Sequence, residues 1–311
     1  WVDHFSAARE LQLGAAEAAY LVADAAALSA LLDEADAALR DPADRAHLSF
    51  LRLKGQMAQN RLQDALETGL RALAALGEPL PRRPGKAQAA AALLRTKLAM
   101  RRWTDERLLQ LPPCDDRRTV EAQRILSELR NISYVARPEL FPAIIDKKLQ
   151  LTVTCGLVPS SPAAFASFGV LLVVTGDHLG SQRFGELGLL LADRVEFHEA
   201  RPETQFLHLD FIRPWRHSIR EGLPQLQEAF QEAHVSGDLE YAGWIAVTLL
   251  YQMFMVGRPL SEIDALAQDL VTGIRSHRTA STLCQATQQM VLNLMGRSDD
   301  PFLLAGESGY D

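Results

Sequence analysis

The sequence predicts an all-α protein in which antiparallel helix hairpins repeat along the chain and stack into a right-handed superhelix, or solenoid. Three observations predict this class: apolar residues recur at helical spacing, alternating strand patterns are nearly absent, and short turns recur at a nearly constant interval. The chain has 311 residues, of which 48% are hydrophobic. This length exceeds the usual single hydrophobic core, so we expect either two domains or one elongated repeat array.

Helical spacing of apolar residues continues along most of the chain. Residues three and four positions apart lie on the same side of a helix, so a run at this spacing predicts a helix with one buried face. Two clear examples are the runs Leu62, Ala65, Leu66, Leu70 and Leu73, and Leu223, Leu226, Phe230 and His234. Only residues 151–155 alternate like a strand, and we assign them to a helix end because their neighbours are helical.

The predicted turns divide the chain into units of nearly equal length. We place them at Ala23-Asp24, Asn60-Arg61, Arg101-Arg102, Ala136-Arg137, Gly176-Asp177, Trp215-Arg216, Gly257-Arg258 and Gly296-Arg297. The first residues of successive turns lie 35 to 42 positions apart. A period of about 34 to 45 residues with two helices per unit is typical of helical repeat arrays. A pair this short is not stable alone, so each pair must stack on its neighbours.

The clearest repeat unit runs from Asp44 to Gly77. Its first helix is predicted to end at Gln59, Asn60 supplies the turn, and Gly77 ends the second helix as a C-terminal stop. The small residue Ala65 allows the two helices to approach closely.

Prolines mark the strongest breaks in the chain. Residues 80–86 (LPRRPGK) form the clearest break, and the pair Pro112-Pro113 closes an atypical unit that follows it. We therefore divide one continuous array, with a kink, into three regions: N-terminal helical repeats (1–80), an atypical linker unit (81–116) and C-terminal helical repeats (117–311).

The composition indicates the class of partner and the compartment. With 32 Lys and Arg against 39 Asp and Glu, the formal net charge is -7. This charge argues against nucleic acid as a partner, because a nucleic-acid-binding domain normally has a dominant basic face. Cys114, Cys155 and Cys284 are far apart and form no CxxC pair. A sparse, odd set of this kind is typical of reduced thiols, so we predict a cytoplasmic protein.

No membrane segment is predicted. The most apolar run, residues 163–174, is too short to span a bilayer. The chain starts at Trp1 without the basic and apolar regions of a signal peptide, and we interpret this start as the boundary of a fragment from a longer protein.

Four stretches of sequence occur together in the order of one known family. They are residues 60–70 (NRLQDALETGL) leading into 76–81 (LGEPLP), 124–129 (RILSEL), 237–243 (GDLEYAG) and 293–301 (NLMGRSDDP). In this combination they resemble the helical region of large bacterial "predicted ATPase" signalling proteins. The similarity extends over nearly the whole chain.

The resemblance implies a role in signalling. In that family this region follows a nucleotide-binding signal-transduction ATPase module and often precedes a GAF domain and a histidine kinase output, and many members begin with a serine/threonine kinase-like domain. The resemblance implies a tetratricopeptide-like arm that binds a protein, peptide or effector and passes that state to a kinase-type output. One candidate partner is the protein's own ATPase module. Self-association into a homo-oligomer is also compatible with this role.

We expect the chain itself to be non-catalytic and to hold no cofactor and no metal. None of the family's ATPase or kinase motifs falls inside it. Residues 77–86 have the wrong glycine spacing for a phosphate-binding loop, and Ala87 stands where a Ser or Thr is needed. His198-Glu199 lacks a second His one helical turn later, and His208 and Asp210 lie on different sides of a helix. We interpret these histidines as surface residues.

A cationic stretch follows the proline-rich break. It contains Arg82, Arg83, Lys86, Arg95, Lys97, Arg101 and Arg102. Such a stretch can contact acidic partners or a phosphate backbone, but we favour a solvated helix face beside the turn.

The strongest surface candidate lies between positions 206 and 251. Phe206, Asp210, Arg213 and His217 are spaced to share one helical face, and Tyr241, Trp244, Thr248 and Tyr251 form a second stripe. Aromatic and Arg clusters favour binding hot spots, although in helical repeats aromatics also pack between neighbouring pairs, which is the interpretation we favour. The candidate partner-binding or effector-binding residues are Phe206, Arg213, Trp215, Arg216, His217, Tyr241, Trp244 and Tyr251.

One alternative function remains from the same region. The His, Arg and Asp residues between 198 and 217 could form a small-molecule-binding or hydrolytic pocket if their side chains converge on one cavity.

Overall fold

The computed structural model describes residues 5–298, apart from positions 23 and 276. These residues form fifteen α-helices and no strand, which confirms the predicted all-α class. By its internal contacts the chain divides into two compact units, with the division between Ala164 and Phe165. We describe each unit separately.

The first unit contains eight α-helices among its described residues. They are α1 (Phe5–Leu21), α2 (Ala25–Ala38), α3 (Pro42–Ala58), α4 (Leu62–Ala75), α5 (Lys86–Met100), α6 (Asp105–Leu109), α7 (Arg117–Ala136) and α8 (Phe141–Cys155). The 3-10 turn Pro138–Leu140 joins α7 to α8. Consecutive helices pack as pairs, α1 with α2 and α3 with α4, and α7 packs on α3, α4 and α8. A further helix, α9 (Ser161–Val174), lies across the division.

The second unit continues the helical pattern with one irregular segment. Its α-helices are α10 (His178–Ala192), α11 (Arg201–Phe206), α12 (Ile219–Ser236), α13 (Leu239–Met255), α14 (Leu260–Gly273) and α15 (Arg278–Leu294). A 3-10 turn, Val195–Ala200, precedes α11, and a π-helix, Leu207–Ile212, follows it. The helices α12 and α13 pack together, as do α14 and α15.

Most of the turns predicted from the sequence lie between consecutive helices, but Ala136 is the last residue of α7 and Gly296-Arg297 follows the last described helix. Four of them reverse the chain through a residue with positive φ: Asn60 (59°), Gly176 (73°), Gly257 (72°) and Gly296 (70°). Glycine adopts this left-handed conformation without the steric cost of a Cβ atom, so it ends helices efficiently. Ala23 of the first predicted turn, and residues 299–301 of the last stretch that resembles the ATPase family, lie outside the described residues.

The helix boundaries predicted between Asp44 and Gly77 agree closely with those of the structure. α3 ends at Ala58 with Gln59 as its C-cap, and α4 is followed by Gly77 with φ 86°. The predicted apolar face of α4 is largely buried, through Ala65, Leu66, Leu70 and Leu73. Residues 151–155 form the last turn of α8, so their assignment to a helix end is also confirmed.

A tight helix contact of the first unit lies at Gly69 on α4. A Cβ atom at this position would stand 2.7 Å from Leu129 Cδ2 and 2.9 Å from Leu53 Cδ1. The side chains of α3 and α7 therefore rest directly on the backbone of α4, an approach that a larger residue would prevent.

We expect Gly69→Val to destabilise the protein by about 1–3 kcal/mol, because the added methyl groups overpack a filled contact. The matched control is Gly14→Val on α1, where an added Cβ meets no atom within 4 Å. Since Val has a higher helix propensity than Gly, the control should be as stable as the wild type or slightly more so. Denaturant unfolding measures both changes, and equal stability of the two variants would contradict this packing.

A lysine is fully buried in the first unit. The Lys148 Nζ on α8 donates hydrogen bonds to Ser127 Oγ (2.6 Å), Ser160 Oγ (3.0 Å) and the Gln123 carbonyl oxygen (3.3 Å). Burial lowers the pKa of Lys148 well below its usual value, and the nearby Arg130 charge lowers it further. The amine thus ties α7 and α8 to the segment that precedes α9.

Because of this lysine, the free energy of unfolding depends on pH in the alkaline range. Because the folded-state pKa of Lys148 is lower than the unfolded value of 10.5, the unfolded chain binds more protons between the two values. The free energy of unfolding should therefore rise as the pH increases through this window, and Lys148→Met should abolish this rise. Urea unfolding of the wild type and of Lys148→Met at neutral and alkaline pH tests this expectation. The control is Lys86→Met at an exposed position, whose free energy of unfolding should change with pH as that of the wild type does.

Candidate partner-binding site

The candidate residues around 206–217 lie on an irregular segment and not on one α-helix. α11 ends at Phe206, the π-helix Leu207–Ile212 follows, and the 3-10 turn Arg213–Trp215 ends the helical backbone. The hydrogen-bond step widens to five residues in a π-helix and narrows to three in a 3-10 turn, so residues four apart no longer form one stripe. The predicted single helical face of Phe206, Asp210, Arg213 and His217 is therefore wrong. π-helical turns occur often at functional sites.

A partly buried polar contact ties the π-helix to α13. The Tyr251 hydroxyl donates a hydrogen bond to Asp210 Oδ1, and Gln252 Nε2 donates to the Leu209 carbonyl oxygen at 3.4 Å. Burial raises the pKa of the Asp210 carboxyl, while hydrogen bonds from Tyr251, Gln252 and Thr248 oppose this rise. Burial and the neighbouring Asp210 charge raise the pKa of Tyr251. Tyr251 is thus engaged in holding the segment in place.

His208 of the π-helix is buried against α10. Its side chain is 5% exposed, and a Cβ atom on Gly185 would stand 2.5 Å from His208 Nδ1. Burial lowers the pKa of His208 to about 4, so the imidazole is neutral at pH 7. The interpretation of the histidines as surface residues is wrong for His208, because the π-helix places its imidazole against Gly185 of α10. His198 is exposed, as predicted.

Three of the candidate aromatic residues pack within the second unit. Phe206 lies 5.9 Å from Tyr241 between ring centroids, and the Tyr241 hydroxyl donates to Glu203 Oε1 at 2.8 Å. Trp244 packs edge-on against His277, with ring centroids 5.5 Å apart. All three candidate side chains are partly buried.

Arg213 braces the turn that follows the π-helix. Its Nη1 donates to the Ser218 carbonyl oxygen at 2.7 Å, and its Nη2 lies 3.4 Å from Glu221 Oε2. Only 13% of the Arg213 side chain is exposed, so this guanidinium supports the turn from the inside.

The outside of the same turn carries the most exposed part of the candidate site. Trp215 is 58% exposed, and its ring stacks on His178 of α10 with centroids 5.0 Å apart and an interplanar angle of 12°. Arg216 and His217 follow and are exposed. We call Trp215, Arg216, His217 and His178 the Trp215 surface. The sequence analysis missed His178, which lies 37 positions from Trp215 and shares no motif with it.

Three cavities of the described residues lie elsewhere. One of about 420 Å³ adjoins the proline-rich segment, α5 and α8, one of about 550 Å³ lies between α2, α3 and α4, and one of about 510 Å³ lies between α12, α13 and α14. None of these three is lined by residues 198–217. In the described part of the chain no group of three His, Cys, Asp or Glu residues is placed to hold a metal ion. Nor is any described helix both long and apolar enough to span a membrane.

The cationic stretch is mostly solvent-exposed, as the favoured interpretation predicts. Of its members only Lys97 is partly buried. Arg95 is 66% exposed, and its guanidinium pairs with Asp146 on α8, which raises the pKa of Arg95.

Comparison of the chain with protein-family models, with curated proteins and with solved structures finds no match in any of the three.

Because of the buried His208, the free energy of unfolding depends on pH in the acidic range. Its pKa of about 4 in the folded state lies below the unfolded value of 6.5, so the unfolded chain binds more protons between these values. Stability is lost as the pH falls through this window, and this one group should cost about 2 kcal/mol at pH 5 relative to pH 7.

Unfolding free energies at pH 7 and pH 5 test the burial of His208. We expect His208→Gln to lose about 2 kcal/mol less than the wild type on acidification, since the titrating group is gone. The exposed His198→Gln is the matched control and should follow the wild type. An acid loss in His208→Gln as large as that of the wild type would contradict a buried neutral imidazole.

Proposed function

We propose that this chain is a non-catalytic interaction arm of a multidomain signalling ATPase in the cytoplasm. Its helix pairs act as tetratricopeptide-like repeats of a right-handed superhelix, bind a protein or peptide, and pass the bound state to a kinase-type output. The proposal is supported by the resemblance of residues 60–81, 124–129, 237–243 and 293–301 to that family, and by the packing of consecutive helices as pairs.

The observation that carries the proposal is the exposed Trp215 on a braced turn. Trp and Arg are the residues most enriched in binding hot spots, because they combine a large contact area with directed hydrogen-bond donors. Trp215 and Arg216 stand side by side on the outside of the turn, while Arg213 holds the turn from within. A turn that is already ordered costs little further conformational entropy when a partner binds.

The partner that fits this surface is a protein. A stacked aromatic ring flanked by one Arg and one His offers area and a few polar contacts, which is the composition of a protein interface centre. We propose the protein's own ATPase module as the partner, with a second copy of the chain as the alternative outcome. The net charge of -7 disfavours nucleic acid.

The complete protein that contains this chain provides the test. Trp215→Ala should change its rate of ATP hydrolysis, because loss of a hot-spot residue weakens a contact by about 2 kcal/mol, or roughly 30-fold in affinity. The matched control is Val235→Ala, an apolar side chain that is 83% exposed on α12 of the same unit. It should leave the hydrolysis rate unchanged.

Stability and mass complete this experiment. Both variants should unfold at the wild-type denaturant concentration, since neither side chain is in the core. An unchanged hydrolysis rate in a folded Trp215→Ala protein would contradict a contact with the ATPase module. If sedimentation then showed that the variant had changed from oligomer to monomer, the Trp215 surface would be a contact between copies instead.

A further inference from the structure

A basic groove lies in the first unit, made of different residues from the Trp215 surface. It has a volume of about 550 Å³ and is enclosed by α2, α3 and α4. Its polar lining includes Arg40, Arg45, Ser49, Arg52, Thr68 and Arg71. Four arginines around one groove are notable in a chain with a net charge of -7.

Two of the arginines are paired with carboxylates at the edge of the groove. Arg52 Nη2 lies 2.9 Å from Asp33 Oδ1, and Arg45 Nε lies 3.4 Å from Asp36 Oδ1. All four side chains are at least 37% exposed. Exposed ion pairs of this kind contribute little to stability, so a ligand carboxylate can replace Asp33 or Asp36 at small cost.

The other two arginines have no carboxylate partner among the described residues. Arg71 Nε donates only to the Glu67 carbonyl oxygen of its own helix, at 3.3 Å. Arg40 lies exposed in the connection between α2 and α3. With four guanidinium groups against two carboxylates, the groove has an excess of positive charge that attracts an anionic ligand.

The wall contributed by α4 contains a buried hydroxyl that has no partner. Thr68 is 6% exposed, and its Oγ1 makes no hydrogen bond within the described residues. Buried polar atoms are nearly always satisfied, so Thr68 Oγ1 has unused hydrogen-bonding capacity at the wall of the groove. Thr68 lines the groove together with Arg71.

The spacing of the arginines determines the shape of that ligand. Arg45 and Arg52 are seven residues apart on α3, which places them about 10.5 Å apart along the helix axis, with Ser49 between them. A ligand that carries two anionic groups at a similar separation can pair with both guanidinium groups. In a peptide with the polyproline II conformation, which has three residues per turn, side chains three residues apart lie on the same face and are about 9 Å apart. Guanidinium groups also match carboxylates through paired hydrogen bonds.

We infer that this groove binds an extended acidic peptide segment that carries carboxylates about three residues apart. The carboxylates pair with the arginines along α3 and α4, and the hydroxyl of Thr68 bonds to the peptide backbone. This goes beyond the proposed function, because it assigns a second site with its own ligand chemistry.

Fluorescence anisotropy with a labelled peptide tests the inference on the full chain. The probe is a peptide of about nine residues with Glu at every third position and Gly or Ser elsewhere, and its Gln counterpart is the uncharged control. We expect saturable binding of the Glu peptide that weakens as salt increases, and no binding of the Gln peptide. Failure of the wild-type chain to bind the Glu peptide would overturn the inference.

Charge-matched variants locate the site. The double variant Arg40→Gln with Arg71→Gln removes the two unpaired cations and should weaken binding at least tenfold. The control pair, Arg83→Gln with Arg101→Gln, removes the same charge from exposed positions of the same unit and should change binding less than twofold. Equal weakening by both pairs would mean nonspecific attraction and would contradict the groove.

Two further measurements separate ligand binding from structure and from other anions. Thr68→Val removes the unpartnered hydroxyl and should weaken peptide binding severalfold without lowering stability, since that hydroxyl has no partner among the residues that the structure describes. A lower stability with unchanged binding would remove Thr68 from the site and overturn that part of the inference. Tripolyphosphate binding more tightly than the Glu peptide would show that the groove takes a phosphate ligand instead.

Discussion

Burial of helix faces against other helices is the constraint on which both units depend. No strand supports the described residues, and helices of 14 to 20 residues such as α2 and α7 are only marginally stable in isolation. Stability must therefore come from apolar faces such as Leu66 and Leu73 of α4, which are fully buried. At Gly69 the faces approach so closely that the leucine side chains of α3 and α7 rest on backbone. Small residues thus determine how near one helix comes to the next.

The same tight burial restricts what polar groups can do inside each unit. Lys148 is accepted in the first core because three oxygen atoms surround its amine, and the partly buried Asp210 of the second unit accepts a hydrogen bond from Tyr251. A buried polar group without such partners would cost several kilocalories per mole, so these contacts specify which segments meet. The Asp210 contact fixes the π-helix on α13, and through it the turn that presents Trp215. The Trp215 surface therefore depends on the partly buried hydrogen bond between Tyr251 and Asp210.

The sequence predicts local structure much better than it predicts either site. Helix ends at Asn60, Gly77 and Gly257 follow from the left-handed conformation that Asn and Gly adopt easily, which is a property of single residues. The π-helix has no such local signal, since it depends on how His208 packs against Gly185, 23 positions earlier. The groove arginines come from three separate segments and share no motif. Only the spacing of Arg45, Ser49 and Arg52, a polar stripe on one helix face, could have indicated the groove.

The two surfaces differ in how readily they can change state, and this difference bears on the signalling role that we propose. A ligand shifts an arm between two states only if it makes different contacts in each. The turn under Trp215 is held by Arg213 and by the Asp210–Tyr251 contact, so it is suited to a constant anchoring contact. The groove contains ion pairs that a competing carboxylate can replace, so Asp33 and Asp36 would be released when a ligand binds. Since both acidic residues lie on α2, ligand binding there would alter the charge contacts between α2 and α3. The groove is therefore the better candidate for sensing and the Trp215 surface for attachment.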